Sequence, residues 1–239
     1  MSDEKVLTKE IAAQFLAYNN SVDLSEFTEI KDAAAESLSK HKGRLNLGRL
    51  KTLSDAGAKS LSKHKGGELV LGYGAPLSGL SELSDAAAKS LGKYKGHLNL
   101  SGLRNLSDAA AMGLSKHKYI PPPRKPFSAL GCLFLYNLQS FKASEGHIAL
   151  CERMIEQPFI QFFKIKSLSN EAAEIFGRYK GALHITHGPL SLSDKKAQSL
   201  AKKRPKFGPF GTDRKGGSIA LISLPASAAQ ILRDAGHGV

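Results

Sequence analysis

Apolar residues fall into two patterns that take turns along the chain. In the first, aliphatic residues stand two apart: Leu45 and Leu47, Leu69 and Leu71, Leu98 and Leu100, Leu133 and Leu135, Ile160 and Phe162, Leu183 and Ile185. Val22/Leu24 and Ile219/Leu221 extend the series at either end. Alternation of this kind predicts a short strand with every second side chain facing inward. In the second, an apolar residue opens a stretch with helical spacing, as in Leu53, Gly57, Ala58 and Leu61. The opening residue recurs at Leu7, Ile30, Leu53, Leu83, Leu106, Phe141, Leu168 and Leu192, with a shortened copy after Leu224. Three intervals, 7 to 30, 30 to 53 and 83 to 106, are 23 residues. Regular recurrence means stacked units, each of which buries its apolar face against the next.

Each helical stretch carries its own punctuation. Ser54, Ser84, Ser107, Ser169 and Ser193 stand where an N-cap belongs. Asp55, Asp85, Asp108 and Asp194 follow, and acid in a first turn suits the helix dipole. A small residue recurs at Ala12, Ala35, Ala58, Ala88, Ala111, Ala173 and Ala197, where it lets a helix lie close to a sheet. Gly43, Gly66, Gly96 and Gly181 are expected to end the helices in left-handed geometry. One strand and one helix per unit predict an α/β chain of about eight to nine repeats. Its short parallel strands form one face and its helices the other.

Leu-x-Leu-x-x-Leu followed by a helix in a 23-residue unit resembles the leucine-rich repeat family. More narrowly, it is similar to bacterial variants written with Leu-Ser-Asp-x-Ala-Ala and Lys-His-Lys-Gly. The resemblance covers most of residues 5–235 and implies a solenoid that binds protein partners on its sheet face. The family places Asn or Cys after Leu-x-Leu-x-x, where its side chain satisfies backbone groups. Here Leu50, Leu103 and Leu138 stand at that place, so those backbone groups need another partner.

The expected organisation is a single solenoid over 1–239, with a capping helix in 1–21 and regular repeats in 22–118. Degenerate repeats follow in 133–202 and a capping repeat in 218–239. Three insertions break the period. Gly72–Gly79 lies between a strand and a helix; the Pro-rich basic stretch 119–132 and the basic Gly/Pro stretch 203–217 each lie between a helix and a strand. Insertions in repeat proteins emerge as loops on defined edges, so the two basic ones share an edge.

Composition adds a partner class. The formal net charge is +13, and much of it sits in a recurring phrase on that same edge. The phrase is Lys40-His41-Lys42, Lys63-His64-Lys65, Lys93-Tyr94-Lys95 and Lys116-His117-Lys118, then Arg178-Tyr179-Lys180. Cations are favoured at helix C-termini, which is one account of them. The other is binding of an anionic polymer or surface, such as nucleic acid or acidic lipid, through Lys40, Lys42, Lys63, Lys65, Lys93, Lys95, Lys116, Lys118, Arg178 and Lys180. The rings between the lysines either stack on bases or cover the apolar end of the core. The outward strand positions offer a second surface, for a protein partner: Arg44, Asn46, Val70, His97, Asn99, Phe134, Gln161 and His184.

No phosphate-binding loop, dinucleotide fingerprint or hydrolase order of Ser, His and Asp rises above the repeat. His184 and His187 lack an acidic third ligand nearby, so no metal or other cofactor is expected. Cys132 and Cys151 read as two buried thiols, with a disulfide as the other option. The first residues are acidic with no apolar run behind them, and no segment is long enough to span a bilayer, so the expectation is a cytoplasmic, non-enzymatic module.

Overall fold

The computed structural model describes residues 4–18, 21–73, 78–118, 131–185, 190–202 and 224–236. It is a mixed α/β chain whose short strands pair in small sheets, in parallel except for one hairpin, and it divides into two compact units, Met1–Leu135 and Tyr136–Val239.

The first unit runs β1 (Val6–Leu7), α1 (Lys9–Ala17), β2 (Glu29–Ile30), α2 (Asp32–Leu38), β3 (Leu45–Asn46), α3 (Asp55–Leu61), β4 (Glu68–Val70), β5 (Gly72–Tyr73), β6 (Ser78–Gly79), α4 (Asp85–Leu91), β7 (His97–Asn99), α5 (Asp108–Leu114) and β8 (Leu133–Phe134). Strands β3, β4, β7 and β8 form one parallel sheet in that order, with Leu45, Leu69, Leu98 and Leu133 in register. All four leucines are buried, and full burial of such a side chain contributes roughly 1.5–3 kcal/mol. The helices pack against one another in chain order from α1 to α5. Val22 and Leu24 do not begin a strand as expected. Asp23 caps a 3-10 turn over Leu24–Glu26 instead, its carboxylate accepting from the Ser25 backbone N–H at 2.9 Å.

The second unit runs β9 (Ser140–Phe141), α6 (Glu145–Met154), β10 (Phe159–Phe162), β11 (Ser167–Leu168), α7 (Asn170–Gly177), β12 (Ala182–Ile185), α8 (Asp194–Ala201) and α9 (Ala226–Asp234). β10 pairs with β12 in parallel over four residues, and β9 with β11. Here aromatics replace leucine in the core: Phe141, Phe162 and Phe176 meet edge-on with centroids 5.4–5.7 Å apart.

In eight copies the helix starts two residues after its opening apolar residue; after Phe141 it starts at Glu145. The opening residues make a second line of pairing that the sequence pattern did not suggest. Val6–Leu7 pairs with Glu29–Ile30, and Ser140–Phe141 with Ser167–Leu168. All seven recurrent alanines have no exposed surface. Ser54, Ser84, Ser107 and Ser169 each accept a backbone N–H three residues on, at 2.9–3.1 Å, whereas Ser193 occupies the N-cap without such a bond.

Leu50, Leu103 and Leu138 are fully buried. The backbone there finds local partners: Leu50 N–H donates to the Leu47 carbonyl at 3.2 Å and Leu103 N–H to that of Leu100 at 3.0 Å. The Gly72 insertion forms an antiparallel hairpin, β5 with β6, and Gly79 takes a φ of 98° that favours glycine. The Pro-rich stretch apart from Gly131 and Cys132, the whole of 203–217, and Ile219 and Leu221 lie outside the described residues. Cys132 and Cys151 are both buried thiols. Among the described residues, no helix is long and apolar enough to cross a membrane.

Candidate functional site

The recurring basic phrase follows α2, α3, α4 and α5 directly. Each helix ends on a leucine (38, 61, 91, 114); one lysine lies two residues on and a second lies four residues on. The ring between them turns inward. His64, Tyr94 and His117 are 4%, 1% and 0% exposed, while all eight flanking lysines are exposed. His41, His64 and Tyr94 stack in turn at centroid separations of 6.2 and 6.0 Å, and His117 lies tilted against Tyr94 at 6.4 Å. Phe15 from α1 meets His41 edge-on at 5.1 Å, while Tyr18 stands 74% exposed.

Each inward ring bonds the backbone of the copy before it. His64 Nε2 lies 3.0 Å from the Gly43 carbonyl, Tyr94 Oη donates to Gly66 at 2.7 Å, and His117 Nε2 lies 3.0 Å from the Gly96 carbonyl. Tyr179 repeats the arrangement in the second unit, its hydroxyl donating to the Gln157 carbonyl at 2.6 Å. A histidine acting here must carry its proton on Nε2, because a carbonyl only accepts. Burial pushes His41 and His64 below the ordinary value of 6.5; at His64 the nearby His41 adds to the effect and the Gly43 bond opposes it. Burial, with Glu68 nearby, pushes the Tyr94 hydroxyl far up, so it remains a donor. Of the two accounts of these rings, burial favours the one that covers the core at His64, Tyr94, His117 and Tyr179, whereas His41 stays half-exposed.

This arrangement also corrects the role of the phrase's glycine. Among the described glycines a positive φ occurs at Gly79, Gly131 and Gly236, not at Gly43, Gly66, Gly96 or Gly181. What those four lack is room. A Cβ on any of them would lie well inside 3.0 Å of the ring two residues earlier. At Gly66, Gly96 and Gly181 the ring that reaches the neighbouring carbonyl folds back over its own glycine and leaves no room there for a Cβ; His117 makes the same bond with Tyr119 at the glycine's place.

On the other flank, the capping serines link successive copies. Ser54 donates to Asp32, Ser84 to Asp55 and Ser107 to Asp85, and in the second unit Ser227 donates to Asp194 at 2.7 Å. In the first unit each of these serine hydroxyls thus accepts a helix N–H in its own copy and donates to the first-turn carboxylate of the copy before, whereas Ser227 lies inside α9, whose N-cap is Pro225. In the sequence pattern Asp55, Asp85 and Asp194 serve the helix dipole and Asp32 carries no assigned role; the Ser-Asp adjacency at the first three is the available signal for the link.

The outward positions of the four-stranded sheet do share a row, with Asn46, Val70, Asn99 and Phe134 opposite one another. Arg44 pairs with Glu68 at 2.8 Å, and Glu68 sits opposite His97. His97 stacks on Phe134 at 6.1 Å, both half-buried, and accepts the Cys132 backbone N–H on Nδ1 at 3.3 Å. Asn99 accepts from Ser101 N–H at 3.0 Å. Val70 does not belong on an open surface, because it is fully buried. The hairpin that follows it returns over this side: Tyr73 donates to Asn46, directly opposite Val70, and lies against Gly48. Gln161 and His184 are opposite each other in the second unit, half-buried, with His184 5.5 Å from the Phe159 ring. His187 lies outside the described residues.

The eight lysines have no carboxylate partner among the described residues. Arg178 does have one, Glu152, and Lys180 is exposed beside it. At the Lys40–Lys42 end of the row, Phe15 and Leu16 floor an open groove of about 560 Å³ rimmed by Lys40, Lys42 and Arg44. Among the described residues no cluster of three His, Cys, Asp or Glu side chains could hold a metal ion. Compared with protein-family models and with curated proteins, the chain matches none.

Proposed function

We propose that the chain is a leucine-rich-repeat-like solenoid that works as a non-enzymatic interaction module and recognises a protein partner on its strand face. The observation that carries this reading is the aligned row across β3, β4, β7 and β8, which ends in the half-exposed His97–Phe134 stack beside the Arg44–Glu68 pair. An aromatic pair flanked by a charged pair is the composition of a recognition patch, apolar at its centre and polar at its rim. Asn46 and Asn99 spend their oxygens on backbone and on Tyr73, so the contact falls to Arg44, His97 and Phe134, with Gln161 and His184 as the corresponding positions of the second unit. The repeat-like packing of helix on helix and strand on strand supports an extended surface rather than an enclosed catalytic site. The module is read as working in the cytoplasm.

The test compares captured proteins from the native host between the wild type and a Phe134→Ser/His97→Ala variant of matched stability. A partner held by the wild type and lost by the variant supports the strand face. A partner held equally by both refutes it. A second reading, anion binding along the lysine row, is favoured by eight exposed lysines without carboxylate partners among the described residues.

A further inference from the structure

The helix dipole does not account for the lysine row. Its attraction for cations fades within the last turn of a helix. In α3 and α4 that turn already holds Lys59 and Lys89. The second lysine of each pair lies four residues beyond its helix, outside the dipole's reach. Each pair straddles one rung of the ring ladder, so the pairs inherit its pitch of 6.0–6.4 Å per copy. That is inside the screening length of about 8 Å at physiological salt, and neighbouring pairs therefore repel. The fold holds four such pairs in line, and among the described residues none of their ammonium groups is in salt-bridge contact with a carboxylate.

We propose that the row from Lys40–Lys42 to Lys116–Lys118 is a binding track for an extended chain of phosphates, one phosphate per copy, read through charge alone. The pitch suits such a chain: nucleotides rise about 3.4 Å along a stacked strand and lie further apart when the strand is drawn out. The sequence-independent character follows from the ladder itself. Proteins that grip single strands by their bases present aromatic faces to them. Here every ring in the track beyond His41 is buried and bonded to backbone, so from Lys63 to Lys118 the lysine ammonium groups, not the rings, face a ligand. A phosphodiester strand and an inorganic polyphosphate present the same chemistry to this track, and a flat anionic membrane does not follow its line. The surface is separate from the strand face, so either can fail without the other.

The experiment titrates the full chain with fluorescent oligo(dT), an abasic oligomer of the same length, inorganic polyphosphate, and vesicles containing phosphatidylserine. The first three are expected to bind with affinities within about threefold of one another, and the vesicles far more weakly. Four phosphate contacts on a single strand predict a loss of about 50-fold between 50 and 200 mM salt. Replacing Lys63, Lys65, Lys93 and Lys95 by Gln removes two of the four contacts and should reduce that loss to about 7-fold. A charge-matched control, Lys9, Lys59, Lys89 and Lys142 to Gln, should keep the original salt dependence. Equal weakening by both variants would assign binding to net charge and overturn the track. A tenfold preference for oligo(dT) over the abasic oligomer would overturn charge-only reading. Preferential binding to vesicles, or no binding at 50 mM salt, would overturn the proposal as a whole.

Discussion

Replacing three glycines by alanine, one at a time, separates the two reasons for a glycine at the end of the basic phrase. At Gly66 the added Cβ meets the Gly43 carbonyl of the preceding copy and the His64 ring, both well inside 3.0 Å. The carbonyl is backbone and cannot turn aside, so the two copies must part there. The His64–Gly43 bond of 3.0 Å is then stretched or lost. A lost bond costs about 1 kcal/mol net, and more where a buried group stays unsatisfied. Overpacking adds roughly 1–3 kcal/mol, partly through the same movement. Alanine returns about 0.4–1 kcal/mol by restricting the unfolded chain. The expected balance is a destabilisation of about 2–3 kcal/mol.

At Gly43 the Cβ meets only the His41 ring, which is half-exposed and free to swing outward. The loss is confined to ring contacts of about 0.5–1.5 kcal/mol, and the balance lies near zero to about 1 kcal/mol. At Gly67 nothing lies within 4 Å of the added carbon and φ is not positive, so Gly67→Ala should stabilise slightly. Urea unfolding followed by circular dichroism gives the three values on the full chain. The reasoning is refuted if Gly43→Ala and Gly66→Ala cost the same and both exceed about 1 kcal/mol, the result a left-handed backbone at both would give.

Other outcomes follow from the same contacts. Ser84→Ala removes both the cap bond to Ala87 N–H and the link to Asp55 and should cost about 1–2 kcal/mol, whereas Ser193→Ala, with no cap bond to lose, should cost a few tenths, as thermal melts would show. Gly57→Ala should stabilise by up to about 1 kcal/mol by the same assay, because Ala34, Ala87 and Ala110 fill that place in other copies and the half-exposed Leu53 side chain can yield. Ala88→Leu should cost roughly 1–3 kcal/mol by overpacking a position without exposed surface; an unchanged midpoint would refute the close helix approach. His41 and His64 are held below 6.5, so the unfolded chain takes up their protons first; their contribution is complete above pH 6.5 and falls away as the pH drops below it. His64→Tyr keeps a ring and a donor, as Tyr94 does in the next copy, and should flatten that loss when stability is measured from pH 7 to 5.

What the sequence made legible is what repeats with a local cause. Helix starts were readable because a capping serine and a first-turn acid act within a few residues of each other, and the leucine pairs placed the strands because alternation is a property of one strand. The hidden part lies in bonds between copies. His64 reaches a carbonyl 21 residues back and Ser84 an aspartate 29 back, far beyond the few residues over which capping and alternation act. The phrase Lys-His-Lys-Gly was therefore parsed by local rules, as a cationic helix end with a left-handed glycine. Where both are present, its ring and glycine are one device: the glycine makes way for the ring, and the ring ties the copy to the one before. Val70 was misplaced for a related reason, since the alternation that points it outward is silent about a hairpin folding back beside it. The lysines are different. Removing them should break no bond in the ladder, yet they recur in every regular copy from Lys40 to Lys118. A residue that recurs with the ladder but takes no part in its bonds is where function, rather than folding, should be sought.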